Sequence, residues 1–192
     1  MLEDRIQSFV AETVSEAGFE YGVAVHVDSP QLGIAWKGAW GLADPASGEA
    51  MTPSHPVRVA SNTKTYVAVA ALGLWERGEL DLDAKITELL PSELTSILEE
   101  GGYSPQGMSV RHLLTHSAGL VDHGASEQYG EDIVANPQRR WTRADQVRLC
   151  IEVGGPLAEP GQIYHYSDTG YVLLGEILEQ VTGENLAGAV WS

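Results

Sequence analysis

Val59-Ala60-Ser61-Asn62-Thr63-Lys64 is the stretch on which the reading of this chain turns. It runs into Thr65-Tyr66-Val67-Ala68-Val69-Ala70-Ala71-Leu72-Gly73-Leu74-Trp75-Glu76-Arg77-Gly78, an Ala-rich apolar segment that reads as a largely buried helix with a glycine stop. Ser61 falls in its first turn. Positions three apart share a helix face, so the Lys64 amine can approach the Ser61 hydroxyl. A serine hydroxyl is a poor nucleophile until a neighbouring base takes its proton. A lysine can be that base only if its pKa falls, which burial and the positive end of a helix both favour. The free amides of that helix end could also help to hold an oxyanion. The same residues have an ordinary reading, with Ser as an N-cap and Lys as a solvated charge, so context has to decide.

The context is a second cluster about a hundred residues later. Glu159-Pro160-Gly161 makes a turn, Gln162-Ile163-Tyr164-His165-Tyr166-Ser167-Asp168-Thr169-Gly170 follows, and Tyr171 to Gly183 reads as another buried helix. That helix is apolar at 172, 173, 174, 177, 178 and 181, with Gly183 as its cap. Tyr166, Ser167 and Asp168 are expected in the loop just ahead of it, a usual place for catalytic groups. Taken without further context, Tyr164, His165 and Tyr166 would read as an aromatic plug beneath that loop.

On these stretches, with Arg111-His112-Leu113-Leu114-Thr115-His116-Ser117-Ala118-Gly119-Leu120 and Gly78-Glu79-Leu80-Asp81-Leu82-Asp83 between them, the chain resembles the serine β-lactamase and penicillin-binding-protein superfamily. It is most similar to the class C β-lactamase-like branch, which includes family VIII esterases, D-aminopeptidases and DD-carboxypeptidases. The resemblance runs from about Gly22 to Gly183. It implies that Ser61 is the acylated nucleophile, Lys64 its partner base and Tyr166 the proton shuttle of a Tyr-x-Asn element. Asp168 stands at the Asn position, among the substrate-binding residues, and is a departure. Asn offers a donor and an acceptor, whereas ionised Asp only accepts and brings a negative charge towards Lys64. That charge would either raise the lysine pKa and weaken it as a base or hold the lysine in place. Ser167-Asp168 also echoes a Ser-Asp-Asn element, but the preceding tyrosine and the helix that follows fit the class C-like pattern better.

The family's third motif, Lys-Thr-Gly or His-x-Gly, does not occur in this sequence; Lys37-Gly38 is in the wrong half and order. In the family that motif lies on a strand that completes the oxyanion hole. One lost oxyanion donor costs around a hundred- to a thousand-fold in rate. The expectation is therefore a chain truncated before that motif: a fragment, half of a split enzyme, or a descendant that has shed catalysis. An open sheet edge would invite a second copy or a complementing chain.

The resemblance implies an α/β (α+β) fold in which a mostly helical domain is inserted into an antiparallel sheet domain. Residues 1–58 would supply the N-terminal helix and the first strands, and 59–192 the helical domain with both motifs. From the residues themselves, Leu2 to Ala17 reads as an amphipathic helix with Ile6, Phe9, Val10 and Val14 on one face. Tyr21 to Val27 and Leu32 to Leu42 read as strands of a hairpin around Asp28-Ser29-Pro30-Gln31. Residues 43–58 read as a connection. Helices are expected over 64–77, 83–98, 109–115, 142–152 and 170–182, with long loops at 99–108 and 117–141.

Across 192 residues, 43% hydrophobic content with five Trp and seven Tyr gives enough for an ordered core. A net charge of −16 argues against nucleic acid or an anionic membrane as partner. No apolar run is long enough to span a bilayer. The single cysteine, Cys150, excludes an internal disulfide and reads as a buried structural thiol. The start Met1-Leu2-Glu3-Asp4-Arg5 has no signal-peptide pattern, so a cytoplasmic address is expected. His112 and His116 have a zinc-like spacing with Asp122 and His123 nearby, but Leu113 replaces the glutamate of His-Glu-x-x-His. The carboxylates of Asp81, Asp83, Glu88, Glu93, Glu99 and Glu100 read as a solvated face. Arg139 and Arg140 beside Trp141 read as a surface loop.

The expected function is that of a serine hydrolase acting through an acyl-enzyme on a small ester, amide or β-lactam, with no cofactor or metal. Its rival is a non-catalytic binding or assembly module.

Overall fold

The computed structural model describes residues 2–18 and 21–191. It is a mixed α/β fold in which helices predominate over small antiparallel sheets. Contacts divide the chain into two compact units, Met1–Arg58 and Val59–Ser192.

The first unit opens with α1 (Leu2–Ala17), the amphipathic helix that the spacing predicts. None of its residues is buried, and Phe9 on the apolar stripe is 69% exposed. Two strands follow, β1 (Val23–Ser29) and β2 (Ile34–Trp40), paired antiparallel from Val23 opposite Trp40 to Ser29 opposite Ile34. A one-turn 3₁₀ segment at Pro30–Leu32 and the left-handed Gly33 join them, so the turn lies slightly later than the sequence suggests. The stretch expected to be a plain connection holds a second small hairpin, β3 (Leu42–Asp44) with β4 (Glu49–Ala50).

The second unit is helical: α2 (Thr63–Glu76), α3 (Ile86–Leu89), α4 (Ser92–Glu100), α5 (Val110–Leu114), α6 (Glu127–Ala135), α7 (Arg143–Val153), α8 (Asp168–Thr182) and α9 (Leu186–Trp191). Helix α8 is its axis. Leu173, Leu174, Ile177 and Leu178 are fully buried, and α2, α5, α7 and α9 pack around them. Such side chains contribute about 1.5–3 kcal/mol each on leaving water. Gly183 ends α8 in the left-handed conformation, as the sequence suggests.

Three expectations need correcting. The single helix over 83–98 is two, because Pro91 pushes Leu90 to extended backbone (ψ 149°) and stops α3 before α4 begins. The loop over 117–141 contains α6, whose N-cap Ser126 accepts from the Tyr129 amide. Helix α2, read as largely buried, buries Val67, Ala71 and Leu74 but leaves Tyr66, Val69, Leu72 and Trp75 exposed.

Charged and polar ties fix the site-bearing helices. Arg143 at the start of α7 reaches Glu176 and Glu179 on α8, both at 2.7 Å. Glu179 also accepts from the Leu186 amide at 2.6 Å and so anchors α9. The buried Tyr103 hydroxyl donates to the Gly154 carbonyl at 2.9 Å beyond the end of α7.

Candidate active site

The chain enters the site through a short 3₁₀ turn, Ala60–Asn62, that feeds directly into α2. Ala60 has φ +45°, the left-handed region that a residue with a Cβ rarely adopts. This bend precedes Ser61. One turn on, Lys64 Nζ donates to Ser61 Oγ at 3.2 Å, as the i, i+3 spacing predicts.

The facing wall is the segment that leads into α8. It is held by Gly161 N–H to the Ser117 carbonyl (2.7 Å) and His165 N–H to the His116 carbonyl (2.8 Å). Ser167 adds two ties: its N–H donates to His116 Nδ1 at 3.1 Å, and its hydroxyl donates to the Val121 carbonyl at 3.0 Å. Ser167 is the N-cap residue of α8 by position, but its side chain does not cap the helix. Asp122 instead accepts from the Asp168 N–H at 2.9 Å. Asp168 is thus the first residue of α8 rather than part of the preceding loop, and its carboxylate sits at the favourable positive end of the helix.

These elements bring the four sequence-selected residues together. Tyr166 OH donates to Ser61 Oγ at 2.8 Å, across 105 residues of sequence. Asp168 Oδ1 pairs with Lys64 Nζ at 2.5 Å. The ammonium also lies 4.9 Å from the Tyr166 ring centre and 5.8 Å from that of Tyr171, a setting that favours its charged form. Gly124 gives the Asp168 carboxylate room, since a Cβ there would lie 2.6 Å from Oδ2.

Burial pulls the Lys64 pKa down. The hydrogen bonds and charges of Asp168 and then Tyr166 outweigh it, and the result lies above the ordinary 10.5. Of the two consequences foreseen for an aspartate at this position, the carboxylate therefore raises the lysine pKa and also holds the amine in place.

Three further polar residues shape the site: Asp122 and His123, which the sequence offered only beside a zinc-like spacing, and Thr169, which it did not single out. Asp122 accepts from both Gly124 and Asp168. Buried His123 bonds Thr169 Oγ1 through Nδ1 at 2.8 Å. The Thr169 hydroxyl donates to the Val121 carbonyl, so His123 is the donor to Thr169. Composition gives no signal for these roles, because the contacts of Asp122 and His123 with α8, and of Thr169 with Val121, join positions 46 to 48 residues apart. A cavity of about 740 Å³ adjoins Lys64 and Asp168, with Trp141, Tyr129, Val172 and Leu186 in its lining.

His112 and His116 do not converge. The His112 imidazole closes a capping box with Ser109 at the start of α5, while His116 stacks on Tyr166. Among the described residues no group of three or more His, Cys, Asp or Glu could hold a metal ion. Arg139 pairs with Asp132 and stacks over Trp141 at 3.6 Å. Cys150 is buried, and burial raises its thiol pKa. No helix among the described residues is long and apolar enough to cross a membrane.

This constellation, a serine at a helix start with a lysine one turn on and a tyrosine across the cleft, sits in a chain that matches the Beta-lactamase family over residues 11–191. The chain belongs to that family. It is 36% identical over 163 residues to esterase EstB of Burkholderia gladioli, an alignment covering 82% of this chain and 40% of EstB. It is 28% identical over 148 residues to penicillin-binding protein 4 of Amycolatopsis lactamdurans, covering 77% and 35%. Among solved structures, D-amino acid amidase from Ochrobactrum anthropi SV3, complexed with D-phenylalanine, matches with a TM-score of 0.75 at 28% identity, covering 98% of this chain and 48% of that one. The chain thus spans about 40% or less of the length of these curated relatives.

Proposed function

We propose that this protein is a serine hydrolase that acts through an acyl-enzyme on a small ester or amide. The observation that carries the reading is the double hydrogen bond to Ser61 Oγ, from Lys64 Nζ at 3.2 Å and Tyr166 OH at 2.8 Å. In the proposed cycle the neutral Lys64 amine takes the Ser61 proton as Oγ attacks the carbonyl carbon. The Ser61 amide contributes an oxyanion donor. Tyr166 passes its proton to the leaving alcohol or amine and is reprotonated from the lysine. Water then attacks the acyl-serine, giving its proton back through the same pair, and the acid departs. Because Asp168 holds the lysine in its charged form, the reactive amine is a minor species at neutral pH and the rate should climb on the alkaline side.

The names of the relatives support ester and amide substrates, with a β-lactam as a third candidate. No step requires a metal or cofactor. The paired Lys64–Asp168 charges favour a second reading, in which the cleft binds a ligand without turnover. A second copy or a complementing chain remains part of the proposal, supported by the two-stranded β1–β2 sheet, since such a hairpin is marginal by itself.

Intact-mass spectrometry after a fluorophosphonate probe tests the reading. One adduct, lost in Ser61→Ala, is the expected result. A folded chain that stays unlabelled from neutral to alkaline pH would sink catalysis by this chain and leave the binding reading.

A further inference from the structure

His116 touches the tyrosine segment in three places, and no catalytic step uses it. Its carbonyl accepts the His165 N–H at 2.8 Å, and its Nδ1 accepts the Ser167 N–H at 3.1 Å. Its ring stacks on Tyr166 with centroids 4.5 Å apart and planes 28° from parallel. The residues before, at and after position 166 are therefore each held by one histidine. Tyr166 is 38% exposed, so most of what fixes its ring must come from a few such contacts. His116 makes them from φ +53°, the left-handed region, where histidine is found more often than most side chains but still at a cost. Tyr171 packs on the imidazole at 5.0 Å and ties back to the Leu114 carbonyl through its hydroxyl.

We infer that His116 is a positioning residue for Tyr166, a latch that closes only as the neutral imidazole. The inference rests on the proposed role of Tyr166 at Ser61. A lone pair on Nδ1 is what receives the Ser167 N–H, so the ring proton sits on Nε2. An imidazolium would present N–H to N–H at that contact and the latch would open. The groups that face the ring are Lys64 from α2, Asp168 and Tyr171 from α8, and Asp122 from the turn after Leu120. Tyr164 and Tyr166 pack on it from the segment itself, and His112 and His165 line the small gap that it shares. Burial and the Lys64 charge disfavour the imidazolium and outweigh the opposing pull of Asp168, Asp122 and the Ser167 backbone, so the pKa lies below the usual 6.5. The latch is closed at neutral pH and releases on acidification.

Two measurements on the full chain test this. Long-range ¹H–¹⁵N spectra of the histidine rings should show His116 as the Nε2–H form at pH 7.5. The Ser167 amide shift should then move with the same midpoint as the ring when it titrates below pH 6.5. In parallel, the rate of Ser61 labelling, which declines with the Lys64 amine as pH falls, should decline more steeply below that midpoint. His116→Asn tolerates a left-handed backbone but has neither ring nor titration. It should slow labelling roughly three- to tenfold, the span of one net hydrogen bond, and remove the inflection at the His116 midpoint while leaving the gradual fall set by the Lys64 amine. A His116 ring protonated on Nδ1 at neutral pH, or one that titrates without moving the Ser167 amide, overturns the latch. If Ser61 is never labelled, the hydrolase reading fails, and the ring spectra still decide whether His116 holds the segment. If His116→Asn does not fold, the spectra of the unaltered chain decide alone.

Discussion

Lys64 and Asp168 carry the chemical tension of the site. At 2.5 Å the pair holds the amine in its charged form, against a burial that works for the neutral one. Asp168→Asn removes the charge and leaves the burial, so the Lys64 pKa should drop and Ser61 labelling at pH 7.5 should speed up, its alkaline midpoint moving to lower pH. An unchanged midpoint would mean that Lys64 is not the titrating base. Tyr166→Phe should slow turnover of a small ester by about 10²- to 10⁴-fold, the range for a lost general acid–base group. The four sequence-selected residues were legible because their spacing and order repeat a family pattern. The roles of Asp122, His116 and Thr169 were not, because they are hydrogen bonds between segments that only the fold brings together.

At the scale of elements, α8 is held by apolar burial on one side and by one arginine on another. Leu178→Ala, at a fully buried position, should cost about 2–5 kcal/mol, read as a shift of the urea midpoint. Arg143→Met cuts the tie from α7 to Glu176 and Glu179 while keeping the stem. Hydrogen bonds to charged groups contribute about 1.5–3 kcal/mol each, and the partial exposure of this cluster places the loss at the lower end. Helices with strong period and clear stops, α2 and α8, were readable from sequence. Helix α6 was not, because Gly130 interrupts its weak period, and the break at Leu90 was missed because the apolar spacing continues across Pro91.

For the whole molecule, stability against pH follows from groups whose pKa differs between folded and unfolded chain. His112, His116 and His123 are each pushed below 6.5, burial being the largest cause in every case. Below that pH the unfolded chain binds more protons, so stability should fall as acid is added. Asp145, held low by its hydrogen bonds to Thr142, and Glu179, held low by Arg143, add a further loss as the pH falls below about 4.5. On the alkaline side Cys150, raised from 9.0 by burial, and Lys64 lose stability as pH climbs past their unfolded values. A plateau in melting temperature between about pH 6.5 and 9, with a decline on both sides, is the expected thermal profile. The β1–β2 hairpin makes a second expectation: sedimentation velocity should show association that grows with concentration. A monomer throughout would remove the pairing of chains from the functional proposal.

The sequence by itself determined the α/β class, the hairpin, the two principal helices and the grouping of Lys64, Tyr166 and Asp168 with Ser61. Periodicity and i, i+3 spacing are local properties, and the order of the motifs is written in the chain. Tertiary structure decided the charge state of Lys64, the capping of α8 by Asp122 and the seat of His116 against Tyr166. A pKa depends on burial and on neighbours in space, and here those neighbours lie 46 to 105 residues apart along the chain.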